Sequence, residues 1–216
     1  MNNLNHSIST IFLPNRIQQT DSHCGPAVMQ SLLYNLNVSV TQDQIVEAAG
    51  VHNIFEDGTR PTELAQAVTK LAPHLQFWFK QYGCRHDLET LIHTHHWPVA
   101  VNWQGLFYDT PEEEAASDSE SDHGHYSVVI DINISKDMIV ISDPYSEYAK
   151  SPRIFSLQWF EQRWWDVAND VDPSTGEEIV TRTNHLMFLV APREATFPSE
   201  IGMMLPDKLH ILTERE

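Results

Sequence analysis

The order of patterned segments predicts an α+β fold, helices first and an antiparallel sheet after them. Three observations carry this. Apolar residues recur at helical spacing from Cys24 to Leu36 and again across 41–49 and 61–71. Later, short runs rich in Val and Ile alternate with turn residues, as strands do. The chain, at 216 residues, is also long enough to bury a substantial core. It reads as one domain over residues 1–192 followed by a tail, 193–216.

Residues 1–16 read as an irregular lead-in with a short apolar piece, Ile8 to Leu13. The first helix is predicted from Cys24 to Leu36. Ala27, Val28, Leu32 and Leu36 make its apolar stripe, widened by Met29 and Leu33. Pro26 fits its first turn, where a missing N–H costs nothing. Thr41-Gln42-Asp43-Gln44 looks like a capped helix start, and Gly50 ends that helix after Ala49. A third helix runs from Pro61 to Leu71, with Pro73 beyond its end. Leu75 to Phe79 reads as a strand, and Asp87 to His95 as a short helix. Val99–Trp103, Tyr126–Ile132, Met138–Ser142 and Leu186–Ala191 read as strands. The second and third of these are joined by a turn around Ser135-Lys136-Asp137 and pair as a hairpin. Trp159, Phe160, Trp164 and Trp165 lie on one short segment and read as core and cleft wall, and 172–176 reads as a turn. Residues 203–216 form a tail, a helix or a contact with another chain.

The chemistry-bearing residues sit at the edges of these elements. Cys24 opens the first helix, and a helix N-terminus favours the thiolate, the form in which a thiol attacks. Gly25 allows close approach to the sulfur. His125 heads one strand of the hairpin and Asp143 follows the other, so pairing places both at the same end. A His there can share a proton with the thiol and return it to a leaving amine, with Asp143 fixing the ring. Gln18, six residues before Cys24, can donate an N–H to a developing oxyanion beside the backbone N–H of Cys24. Gln19 is the alternative donor. The four residues Cys24, His125, Asp143 and Gln18 therefore point to acyl transfer from a peptide or amide through a thioester.

The same stretches resemble the C39-like peptidases, relatives of the bacteriocin leader-processing peptidases in the papain-like superfamily. The likeness rests on Gln18 followed by Cys24-Gly25-Pro26-Ala27, on Gly124-His125-Tyr126-Ser127-Val128-Val129, and on Asp143-Pro144-Tyr145. Gly58-Thr59 ahead of Leu64, Leu88 to Ile92 ahead of Trp97-Pro98-Val99, and Ser156-Leu157 with Phe160 extend it over roughly residues 10–190. His23 stands where the family often has Asp, and its ring adds a titratable group beside the thiol. The resemblance implies a papain-like cysteine peptidase fold, a helical lobe against an antiparallel sheet with the active-site cleft between them. It implies a soluble cysteine peptidase without a cofactor, cutting after small residues as the leader-processing members do. Papain-like transferase, amidase or deamidase chemistry, and a non-cleaving peptide-binding domain, are the alternatives.

Composition narrows the partners. The formal net charge of −17 argues against nucleic acid, whose binding needs basic phosphate contacts, and mildly favours basic substrate segments. No apolar run is long enough for a membrane span, and no secretory signal is evident, so a cytoplasmic stand-alone domain is expected, with a secreted effector acting on a host protein as the alternative. Two cysteines, Cys24 and Cys84, are too few for a disulfide scaffold; were they paired, Cys24 would not be a resting nucleophile. Residues 111–123 carry six acidic groups just ahead of His125 and read as a solvated loop, with an acidic lid over the cleft as the sharper reading. Asp118, Glu120 and Asp122 fall short of a calcium loop, because the Gly is late and the distal Glu is absent. The dense histidines His93, His95, His96 and His123 lack zinc spacing and read as surface residues, so no metal is expected.

Overall fold

The computed structural model describes residues 11–105, 110–116, 124–171 and 178–207. The helix that opens at the candidate nucleophile forms as α1 (Cys24–Asn35), with Ala27, Val28, Met29, Leu32 and Leu33 buried along it. The second forms as α2 (Gln42–Ala49). Thr41 accepts from the Gln44 N–H, the Gln44 side chain answers the Thr41 N–H, and Gly50 closes the helix in the left-handed region at φ 78°. A short turn of helix, α3 (Ile54–Asp57), precedes α4 (Pro61–Leu71), which has proline in its first turn as expected.

The strands are β1 (Leu75–Lys80), β2 (Val99–Gln104), β3 (Gly124–Asn133), β4 (Met138–Ser142), β5 (Arg153–Ser156) and, far along the chain, a last strand at Met187–Pro192. Between β1 and β2 the expected short helix appears as α5 (Arg85–Glu89), running on into one π-helical turn over Thr90–Thr94. After β5 come α7 (Leu157–Arg163), β6 (Trp165–Val171) and β7 (Glu178–Asn184), making the last strand β8 and leaving α6 for residues Pro111–Ala116. The main sheet has the order β1-β8-β2-β3-β4-β5, and every neighbouring pair is antiparallel. β6 and β7 pair separately as a two-stranded ribbon, and the turn expected at 172–176 lies outside the described residues.

Burial on both faces explains the nearly continuous apolar runs of the central strands. One face carries Phe77, Phe188, Val190, Val128 and Ile130 and packs against Val28, Leu32, Ile45, Leu64 and Val68 of the helices. The opposite face carries Val99, Val101, Trp103, Val129 and Ile141 and packs against Leu88, Leu91, Leu157, Phe160 and Trp164. Trp159, Phe160 and Trp164 are thus core residues of this second face, whereas Trp165 is half-buried on β6 with Arg182 over its ring.

Beyond α3, α7 and the β6–β7 ribbon, none of them expected from the sequence, three segments depart from expectation. The acidic stretch 111–116 forms the short helix α6 instead of a loop, while 117–123 lies outside the described residues. β5 was not foreseen, because four residues between Pro152 and a helix carry too short a pattern. The tail is anchored as far as Met204: Phe197 meets Trp78 edge-on, Ile201 is buried, and Met204 exchanges backbone hydrogen bonds with Phe79 at 2.8 and 3.0 Å.

Phe188 joins the strands to the helical layer. It is fully buried, stacks on Phe77 at 5.0 Å between centroids and meets Tyr126 edge-on at 5.7 Å. Phe188→Ala is expected to cost about 3–5 kcal/mol, read as a lower midpoint in urea unfolding with little change in slope.

Candidate active site

The β3–β4 hairpin forms with the expected pairing, Asn133 opposite Met138 and Val128 opposite Ser142, with one register shift between Val129 and Asp131. His125 and Asp143 therefore emerge at the same end of adjacent strands. The His125 Nε2 lies 2.9 Å from Asp143 Oδ1, and the two side chains are 1% and 0% exposed. With Nε2 committed to Asp143, Nδ1 is the ring nitrogen left for the Cys24 thiol, whose influence helps to raise the His125 pKa.

The electrostatics follow from burial and pairing. Burial alone would strip the proton from His125, yet the charge and hydrogen bond of Asp143, with the contribution of Cys24, raise its pKa from 6.5 to about 9. Burial likewise opposes ionisation of Asp143, but His125, the Tyr145 N–H and Arg153 together hold it below its ordinary 3.8. Asp143 Oδ1 also accepts from the Tyr145 N–H at 2.9 Å, and Oδ2 accepts from Arg153 Nη1 at 2.8 Å. The loop carrying Asp143 is tied to the chain that leads into α1. Asn15 donates to the Asp143 carbonyl at 2.6 Å, and the Gln18 N–H donates to the Pro144 carbonyl at 2.9 Å.

On the nucleophile side, α1 starts without a side-chain cap. Its end is closely covered. A Cβ on Gly25 would stand 2.0 Å from Thr59 Oγ1 and 3.3 Å from the Tyr126 ring, so only glycine fits. Thr59 is presented by Gly58, whose φ of 61° with ψ of −136° is a glycine conformation. The Tyr126 hydroxyl pins this strap by donating to the Thr59 carbonyl at 3.1 Å. Burial raises the Tyr126 pKa well above its usual value, so it stays a neutral donor.

Gln18 is buried in the loop before Cys24, whereas Gln19 is exposed and its N–H donates to Gln42 Oε1 at 3.0 Å. The Gln18 Nε2 donates to the carbonyls of Thr20 and Asp21 at 2.9 and 3.2 Å, and its Oε1 is buried without a partner among the described residues. Its amide thus shapes the loop in this state. His23 is engaged with other neighbours: its Nδ1 lies 2.6 Å from Thr20 Oγ1 and its ring meets Phe55 edge-on. Burial lowers the His23 pKa, against the pull of Asp43.

Cys24 and Cys84 are both free thiols. Among the described residues no group of three or more His, Cys, Asp or Glu is placed to hold a metal ion, and Asp118, Glu120, Asp122 and His123 lie outside them. No described helix is long and apolar enough to cross a membrane. Sequence reasoning missed Arg153, Thr59 and Asn15. Arg153 carries no motif, and only the β4–β5 pairing of Ile141 with Arg153 brings it behind Asp143.

The model of the Peptidase_C39 like family matches residues 11–170. Among solved structures, the peptidase domain of Streptococcus ComA, described as a bifunctional ABC transporter in quorum sensing, aligns with a TM-score of 0.54 at 17% identity. That match covers 84% of this chain and all of that domain. A double glycine motif protease from an AMS/PCAT transporter, solved with its leader peptide, aligns at 0.52 and 15% identity, covering 85% of this chain and 94% of that one. At such identities the likeness shows the fold, the papain-like arrangement expected above. No curated protein matches the sequence.

The pKa directions fix how stability depends on pH. His125, raised to about 9 from 6.5, contributes stability that is full below pH 6.5 and is lost as pH rises through about 9. Asp143, held below 3.8, contributes stability present above that value and lost as pH falls through its folded pKa. The pair therefore favours the folded state most between 3.8 and 6.5. Melting temperature is expected to decline between pH 6.5 and 9, and Asp143→Asn to flatten that decline. An equally steep decline in the variant would mean that the pair does not carry the dependence.

Proposed function

The chain belongs to the Peptidase_C39 like family, and on that premise we propose that it is a cysteine peptidase acting through a thioester at Cys24. The observation that carries this is the buried His125–Asp143 pair, 2.9 Å apart, with the Cys24 thiol at the start of α1 contributing to the raised His125 pKa. In the proposed reaction the Cys24 thiolate attacks the scissile carbonyl carbon. The electron pair moves to the carbonyl oxygen, which takes hydrogen bonds from the Cys24 N–H and from Gln18. Protonated His125 gives its proton to the leaving amine as the C–N bond breaks, leaving a thioester. His125 then takes a proton from water as its hydroxide attacks the thioester, and collapse breaks the C–S bond to free the carboxylic acid and restore the Cys24 thiolate beside protonated His125.

For Gln18 to donate to the oxyanion, one of its N–H groups must leave the Thr20 or Asp21 carbonyl when substrate binds. The substrate we propose is a peptide or protein segment with small residues before the scissile bond. The double glycine protease among the structural neighbours supports that preference, and the net charge of −17 supports a basic flank. Two free thiols suit a reducing compartment, and we place the activity in the cytoplasm.

A library of peptides with small residues at the cut, run with reduced protein and read by mass spectrometry, tests this. Cleavage is expected to vanish in Cys24→Ala. Iodoacetamide is expected to label Cys24 rapidly well below pH ~8 in the wild type and not in His125→Ala. Labelling that rises only near about pH 8.5 and ignores His125 would move the assignment to a peptide-binding domain without catalysis. Gln18→Ala is expected to lower kcat by about 10²–10³. A loss of only a fewfold, with the protein folded, would remove Gln18 from the oxyanion site.

A further inference from the structure

Asp143 is gripped from both sides, and only one side belongs to the reaction. Arg153 enters from β5 behind the carboxylate. Its Nη1 donates to Asp143 Oδ2 at 2.8 Å and to the Gly105 carbonyl at 3.1 Å. Its guanidinium lies over the Tyr148 ring at 3.7 Å and near the Phe155 ring at 4.7 Å. Arg153 is 7% exposed and Asp143 is fully buried, so water screens their interaction little. An arginine buried this deeply is rare unless it is paired, and here its partner is Asp143, the carboxylate that orients the candidate general acid His125.

Resting on the peptidase reading of this site, we propose that Arg153 is a positioning residue of the His125–Asp143 pair. By holding Oδ2 it leaves Oδ1 to the imidazole, and its charge offsets that of the carboxylate so that the proton on His125 can be passed on.

The physical argument is a balance of charges. Asp143 alone, in a dry site, would bind the imidazolium proton too tightly for transfer to a leaving amine. A cation on its far oxygen weakens that hold without removing the hydrogen bond. The other titratable or charged groups facing the pair come from three elements. Cys24 comes from α1. Asp166 of β6 lies over Gly124, its carboxylate held by Asn102 and Gln104. Arg163 of α7 is bonded to the Gln104 carbonyl. Among the described residues, the cation bonded directly to Asp143 is Arg153.

The sign of one shift separates this role from simple scaffolding. The His125 titration is followed by NMR on full-length protein carrying ¹³C-labelled histidine, with the resonance assigned by its loss in His125→Ala. In Arg153→Met, which keeps an apolar stem in the same packing, the Tyr145 N–H still orients Asp143. The His125 midpoint is therefore expected to move upward from the wild-type value of about 9, by roughly half a unit or more. Arg153→Lys, which keeps the charge, is expected to leave the midpoint in place. Circular dichroism checks folding, and Arg153→Gln repeats the test if the Met variant does not fold. A midpoint that stays put or falls in a folded neutral variant overturns the proposal. So does failure of both neutral variants to fold, which would make Arg153 a structural residue alone. Peptide cleavage plays no part in this readout, so the two failures are distinguishable. A chain that never cleaves peptide but shows the upward shift loses the peptidase reading. One that cleaves peptide without the shift loses only the role of Arg153.

Discussion

A carboxylate with no exposure to water has to be compensated by its neighbours, and the neighbours of Asp143 define this site. His125, the Tyr145 N–H and Arg153 share its two oxygens, while Asn15 holds its carbonyl. Each partner comes from a different part of the chain: the start of β3, the loop after β4, the start of β5, and the segment leading into α1. Removing any of the charged partners leaves a buried charge exposed to the full desolvation cost, commonly several kcal/mol. The arrangement is therefore a geometric constraint as much as a chemical one. It fixes the β3–β4 register, draws β5 onto the sheet edge and ties the loop before Cys24 to the Pro144 carbonyl.

What was legible in the sequence follows from how local each signal is. Thr41 with Gln44, and Gly50 after Ala49, marked α2 because a capping box and a left-handed stop are written in consecutive residues. The hairpin was legible because Val128-Val129-Ile130 and Ile139-Val140-Ile141 flank a short turn, and its closure carried His125 to Asp143 without further information. Arg153 was not legible. A lone arginine after Ser151-Pro152 reads as surface, and its burial depends on β5 pairing with β4 and on aromatic rings at Tyr148 and Phe155. Thr59 was visible only as part of a Gly-Thr pair. That its hydroxyl stands where a Gly25 side chain would be is a fact of tertiary approach. The acidic run showed its charge but not its conformation, since Pro111 followed by three glutamates can start a helix as readily as it can solvate a loop.

Burial also explains why the histidines separate into different roles. His125 and His23 are nearly equally hidden, yet their pKa values move in opposite directions. His23 has the Thr20 hydroxyl at 2.6 Å, and desolvation prevails over the pull of Asp43, which favours the neutral ring. His125 has a carboxylate at 2.9 Å, and pairing prevails. The residue at the position where the family often has Asp is thus a packed neutral ring against Phe55.

Under the proposed mechanism the two halves of the site are prepared to different degrees. The His125 side is fixed before substrate arrives: ring, carboxylate and guanidinium are all buried and bonded. The oxyanion side is not, because both Gln18 N–H groups sit on loop carbonyls and its Oε1 has no partner among the described residues. Pre-organised donors cost nothing at the moment of reaction, whereas donors that must be released take their reorganisation from substrate binding. A peptide that fills the cleft and displaces the Gln18 amide from Thr20 or Asp21 would complete the site as it binds. One too short to do so would meet an activated thiol without a full oxyanion hole. Selectivity would then lie partly in substrate length, since remote contacts would supply the energy that frees one amide hydrogen beside the scissile bond.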